Sequence, residues 1–159
     1  MAQQTIGLTK SYKNDANVRI LKYTALVQGP TNGAGFAAVP AAANAAGFCG
    51  AAIEDIFEPG VNPWVNGTPQ YSSGSAPSAG APTLQARNLQ VAKSGIVRLI
   101  AASAIAVGAA VNIADNQGRV KTVNEGAGTL VNAIGYAETA AVNAGDIVHV
   151  CLGPFQYKA

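Results

Sequence analysis

The chain has 159 residues and a mass of 16.0 kDa, the size of one compact domain with peripheral extensions. Its hydrophobic fraction of 49% can build a core, yet only 11% of residues are charged, well below the ~25% of an average soluble chain. A net charge of +2 argues against a nucleic-acid partner, no run reaches the ~18 apolar residues of a membrane span, and the polar start Ala2-Gln3-Gln4-Thr5 is no export signal, which points to synthesis and folding in a cytoplasm.

Residues 1–19 are polar with spaced hydrophobes, among them Ile6, Leu8 and Tyr12, and show no sustained period. They read as an extended arm that orders on a partner or a sister subunit, ahead of a single β-rich domain over 20–159. Ile20 to Val27 reads as the first strand, Gly29 to Gly33 as a turn, and Phe36 to Val39 as a short strand before Pro40. The alanines from Ala41 to Ala46 favour helix by propensity, but the stretch allows one turn at most. Phe48 to Ile56 is apolar and strand-like. From Pro59 to Pro82 the texture changes: Pro59, Pro63, Pro69, Pro77 and Pro82 interrupt any sheet, because proline donates no ladder hydrogen bond. The segment at about 67–88 therefore reads as an inserted loop, with Trp64 at its root and Tyr71 inside it.

Leu89 to Ile100 reads as strand, turn at Ser94-Gly95, and strand. Ala101 to Val107 suits a short helix or a loop. Val111 to Ala114, the turn Asp115-Asn116-Gln117-Gly118 and the alternating Arg119 to Val123 form a predicted hairpin. Leu130 to Ala137 and Ile147 to Leu152 are the last two core strands. About eight short strands at regular spacing predict an all-β fold, a small barrel or sandwich with short helical turns at most.

A Gly-x-Ala motif followed ten residues later by a turn glycine occurs twice, 85 positions apart: Gly50-Ala51-Ala52 to Gly60, and Gly135-Tyr136-Ala137 to Gly145. Gly108-Ala109-Ala110 looks like part of a third copy. Glu54 and Glu138 hold similar places in the two copies and read as turn caps or partners of Arg98 or Arg119.

Reactive constellations are missing. His149 and Cys151 share a strand face, but Asp146, the nearest carboxylate, points the other way, so a thiol dyad lacks its orienting group. Cys49 and Cys151 read as buried free thiols, and with His149 they supply too few ligands for a metal. Gly29-Pro30-Thr31-Asn32-Gly33 lacks the lysine of a phosphate loop. No catalytic, cofactor-binding or metal-binding residue is therefore predicted.

The segments Gly95-Ile96-Val97-Arg98-Leu99, Gly108-Ala109-Ala110-Val111, Asp115 to Val120, Ile134 to Glu138 and Ala144 to Val150, taken in order, resemble a family of small tailed-bacteriophage capsid decoration (cement) proteins. The resemblance covers roughly 20–60 and 88–155. It implies a β-tulip-like or barrel domain on the outside of an assembled phage head, often trimeric, bolting neighbouring capsomers together, with the major capsid protein as partner and no catalytic residues. Contacts with capsid or sister subunits are expected at Ile6, Leu8, Tyr12, Trp64 and Tyr71. A carbohydrate- or host-surface-binding head protein, stacking sugars on Trp64 and Tyr71, and a tail or other virion structural protein are the alternatives.

Overall fold

The computed structural model describes residues 5–159, and the side chains of 7–159. Among these residues there are thirteen strands and no helix, so the fold is all-β. In chain order they are β1 (Thr5–Ile6), β2 (Thr9–Asn14), β3 (Ala25–Gln28), β4 (Phe36–Ala38), β5 (Phe48–Ala52), β6 (Trp64–Val65), β7 (Thr68–Pro69), β8 (Asn88–Ala92), β9 (Gly95–Ile100), β10 (Ala110–Ile113), β11 (Val120–Thr122), β12 (Leu130–Ala137) and β13 (Ile147–Lys158). The alanine stretch after Pro40 and the segment after Ala101 form turns and bends. Neither is long enough to nucleate a helix between its flanking breakers.

Five strands close a barrel in the order β2-β4-β3-β5-β8. A six-stranded sheet runs β1-β9-β13-β12-β10-β11, and a parallel bridge from Ala101, just past β9, to Val120 in β11 brings its ends together. The two bodies repeat one topology. In each, a hairpin (β3–β4, β10–β11) is followed by a central strand (β5, β12), then by a strand (β8, β13) that pairs back to the first one (β2, β9). The repeat holds in detail: the bridge Ile20–Ile56 recurs as Ile105–Ala141, and Tyr23 N–H to Ala52 O recurs as Gly108 N–H to Ala137 O. Tyr23 takes the left-handed φ of 70° that Gly108 takes at 78°. The Gly108 segment is therefore β10 of the second repeat and not a third copy. The carboxylate pair is also offset, since Glu138 N–H bonds His149 O as Ile53 N–H bonds Gln90 O.

The first barrel is filled by Tyr12, Ile20, Leu26, Cys49, Leu89 and Val91, and by Leu84 from the insertion. The second is filled by Val97, Leu99, Val111, Ile113, Val120, Ile134, Val148 and Val150. Alternation along each strand sends the remaining side chains outward. On the first barrel the outward residues Ala25, Ala51 and Ala92 are buried, because they pack into the core cluster of the second. Backbone bonds tie the two bodies: Ala25 N–H to Gly118 O at 2.8 Å and Ile100 N–H to Tyr23 O at 3.0 Å. Asn44, at φ 52°, adds its own amide to Ile113 O and its side chain to Leu130 O and Asn132 N–H.

Set against the second repeat, in which β13 follows Gly145 almost at once, the first repeat carries extra chain between Gly60 and Asn88. This insertion is tied to the first barrel rather than hanging from it. Ser73 Oγ accepts from Leu21 N–H and bonds Thr24 Oγ1 at 2.6 Å, Gly74 N–H bonds Arg19 O, and Leu84 is fully buried.

Candidate docking surface

Two surfaces carry unusual side chains, one on the insertion and one on the second barrel. The first forms around Arg19, a buried guanidinium. It pairs with Glu58 through two hydrogen bonds, Nε to Oε2 at 2.9 Å and Nη2 to Oε1. Its guanidinium carbon lies 4.6 Å from the centroid of the Tyr71 ring and 5.7 Å from that of Phe57. Glu58 also accepts from the Ser78 amide, so one ion pair joins the barrel edge to the insertion. The Arg19 guanidinium beside Glu58, with the Ser78 amide, pulls that carboxyl down to about 2. A carboxyl depressed in the folded state stabilises above its ordinary value of 4.5 and loses that contribution as pH falls towards 2. The melting temperature of the wild type should therefore drop more steeply over that window than that of Glu58→Gln. Parallel curves would show that the pair does not set acid stability.

Trp64 lies beside this cluster at the seam between the barrels. Its ring meets Tyr23 edge-on at 5.6 Å, Lys22 Nζ lies 5.1 Å away, and its Nε1–H donates to Asp55 at 2.9 Å. Leu21, Phe57, Ile100 and Ile147 complete the pocket. At the 85-residue offset its counterpart in the second repeat, His149–Val150, lies in a core strand, whereas Trp64–Val65 forms only a small hairpin with Thr68–Pro69. Prolines on both sides stop it from joining a sheet.

The residues singled out from sequence do not form one patch. Leu8 is 60% exposed at the turn where its backbone bonds Ser94 and Lys93. Ile6 pairs through its backbone with Gly95, and its side chain lies outside the described residues. Tyr12 is 4% exposed and fills the first barrel, with its hydroxyl 2.9 Å from Lys93 Nζ. Thr9–Asn14, within the stretch read as an arm, is a barrel strand paired with β8 and β4. Tyr71 is 38% exposed at the rim of the Arg19 cluster.

The second surface went unnoticed in the sequence. Tyr136, Phe155 and Tyr157 stack on the outer side of β12 and β13, with centroids 5.5 Å and 5.8 Å apart and planes within 18°. Tyr136 is 49% exposed and Tyr157 41%. Phe155 and Tyr157 are two apart, the spacing that puts both on one strand face. That signal was masked by Gly153-Pro154, which read as the end of the strand, although β13 runs on to Lys158.

Cys151 pairs with Tyr136 across the ladder and is exposed, contrary to the expectation of two buried thiols. It faces outward beside the aromatic stack, where none of the described residues covers it. Cys49 faces the first core, and burial pushes its thiol up to about 11. Asp146 accepts from the Val142 and Asn143 amides and closes the turn before β13. Arg119 pairs with Asp115 inside the hairpin turn rather than with either repeat glutamate. Among the described residues no group of three His, Cys, Asp or Glu is placed to hold a metal ion.

No family model and no curated protein matches the chain. Among solved structures it is similar to the head fiber gp8.5 N base of bacteriophage phi29, with a TM-score of 0.48 and 16% identity over 96% of this chain and 100% of that one.

Proposed function

We propose that this protein is a structural component of a virus head, a decoration protein that binds the outside of the assembled capsid and stabilises its lattice. The observation that carries this reading is where the cement-protein-like segments lie. Gly95 to Leu99 is β9, Gly108 to Val111 enters β10, Asp115 to Val120 is the hairpin turn, Ile134 to Glu138 ends β12, and Ala144 to Val150 enters β13. All belong to one closed unit, and the chain repeats that unit's topology in its first half.

The partner on this reading is the major capsid protein, met on the capsid exterior, and the working form is a homo-oligomer, a trimer by the same resemblance. Low surface charge suits the role, because a surface poor in charge is cheap to desolvate against a lattice. Many weak contacts on a repeating lattice multiply, and binding only the assembled form stabilises it by mass action.

The lattice contacts fall to the N-terminal segment before β2 and to Tyr71 on the insertion. Co-sedimentation with isolated heads of the virus that encodes the protein tests this. Deleting residues 2–7 removes the two-residue β1 but spares every barrel strand, so the circular dichroism should change little while head binding weakens by roughly tenfold or more. Tyr71→Ala should weaken it in the same direction. Trp64→Ala should lower thermal stability instead, since its ring is packed at the seam. Full head occupancy by the truncated chain and by Tyr71→Ala would refute the assignment. Binding to a neutral glycan on an array, lost in Tyr71→Ala, would favour the host-surface alternative.

A further inference from the structure

The duplication turns the outer faces of the two barrels into counterparts. Ala25 corresponds to Ala110 and Ala51 to Tyr136. Ala92 corresponds to Cys151, because Ala51 pairs with Ala92 as Tyr136 pairs with Cys151. In the first barrel this face is covered: Ala25, Ala51 and Ala92 are fully buried against the second barrel. In the second barrel none of the described residues covers the same face: Tyr136 stands where Ala51 does and Cys151 where Ala92 does, with Phe155 and Tyr157 stacked beside Tyr136.

We propose that the outer face of the second barrel, centred on Tyr136, Cys151, Phe155 and Tyr157, docks a second copy of this chain. The counterpart face is an interface between the two halves of this molecule, so this wall of the fold is one that packs against another body of the same fold. The change of side chain agrees with a change of context. Alanines let two covalently joined barrels approach backbone to backbone, whereas separate molecules need protruding anchors, and tyrosine is enriched in that role.

The charges bordering the face are self-complementary. Arg98 is exposed on β9 opposite His149, and Glu138, also exposed, bonds the His149 carbonyl through its backbone. One patch therefore holds both signs, and a symmetric contact of the patch with itself can set each charge against its opposite. This assignment does not rest on capsid binding, which a monomer could also perform.

Sedimentation equilibrium of the full chain tests it, alongside maleimide labelling of Cys151. The wild type should self-associate, and labelling should slow as concentration rises. Tyr136→Ser/Tyr157→Ser should weaken association roughly tenfold or more and make labelling independent of concentration. Arg98→Glu should weaken it, and adding Glu138→Arg should restore it. A wild type that stays monomeric up to its solubility limit would overturn the proposal. So would a double tyrosine variant that is folded by circular dichroism and associates as tightly as the wild type.

Discussion

Gly50→Ala and Gly135→Ala should each leave little folded protein, with a loss of about 3 kcal/mol or more. The cause is close approach at the centre of each barrel wall. A Cβ on Gly50 would run into the carbonyl oxygen of Ala92 and the Val91 side chain, and one on Gly135 into the carbonyl of Cys151. Both glycines sit where a ladder slips register, between Leu26 and Val27 on β3 and between Ala133 and Gly135 on β12. Such bulges bend a sheet so that it can close. Gly50 also has φ 142°, which an alanine rarely takes. Gly60→Ala and Gly145→Ala are the controls. They occupy turns at φ 82° and 92° with open space around them, so each should cost only about 1 kcal/mol of backbone strain. Urea unfolding of the four variants gives the ranking. Equal effects at all four positions would show that conformation alone, and not steric closure, selects glycine.

Leu84→Ala should destabilise the protein by about 2–5 kcal/mol, the range for a fully buried leucine. The size of that effect is informative because Leu84 lies in the segment that composition marks as a loop. Its side chain is fully buried in the first barrel. Its carbonyl accepts from the buried Asn14 side chain, and its amide donates to Asn17 Oδ1 at 2.8 Å. The insertion is thus a plug as well as a surface. A stability change below about 0.5 kcal/mol, the scale of an ordinary surface substitution, would show that the plug is dispensable.

The hairpin β10–β11 and the strand β12 were legible because their turn chemistry and apolar alternation agree. Asp115 accepts from the Gln117 and Arg119 amides and Gly118 takes φ 69°, as the Asp-Asn-Gln-Gly string requires. The duplication was legible only through its glycines, since the two copies share few side chains elsewhere. The strand β2 was not legible. Thr9-Lys10-Ser11-Tyr12-Lys13-Asn14 buries only Tyr12 and Asn14, and one of these is polar, so no hydrophobic period survives. Asn14 is satisfied by the carbonyls of Val18 and Leu84, partners that exist only after folding. The residues expected to make contacts proved hardest for a related reason. Tyr12 and Tyr71 are both tyrosines among polar neighbours, and only the fold decides that one fills a core and the other a rim.

Synthesis runs from the N-terminus, and this gives the alanine face a history. The first barrel has all its strands once Ala92 has been made, while the second needs the chain to beyond Val150. At ribosomal rates of ~5–20 residues per second, roughly 3–13 s separate the two events. During that interval Ala25, Ala51 and Ala92, with Val27, Phe48 and Ile53 around them, have no second barrel to pack against. The alanines at the centre of that face expose one methyl group each, far less apolar surface than aromatic rings would. Had the aromatic stack been placed on the first barrel, every unfinished chain would have presented it to its neighbours on the polysome. With the stack on the second barrel, all three of its rings, Tyr136, Phe155 and Tyr157, are made only after the first barrel has all its strands.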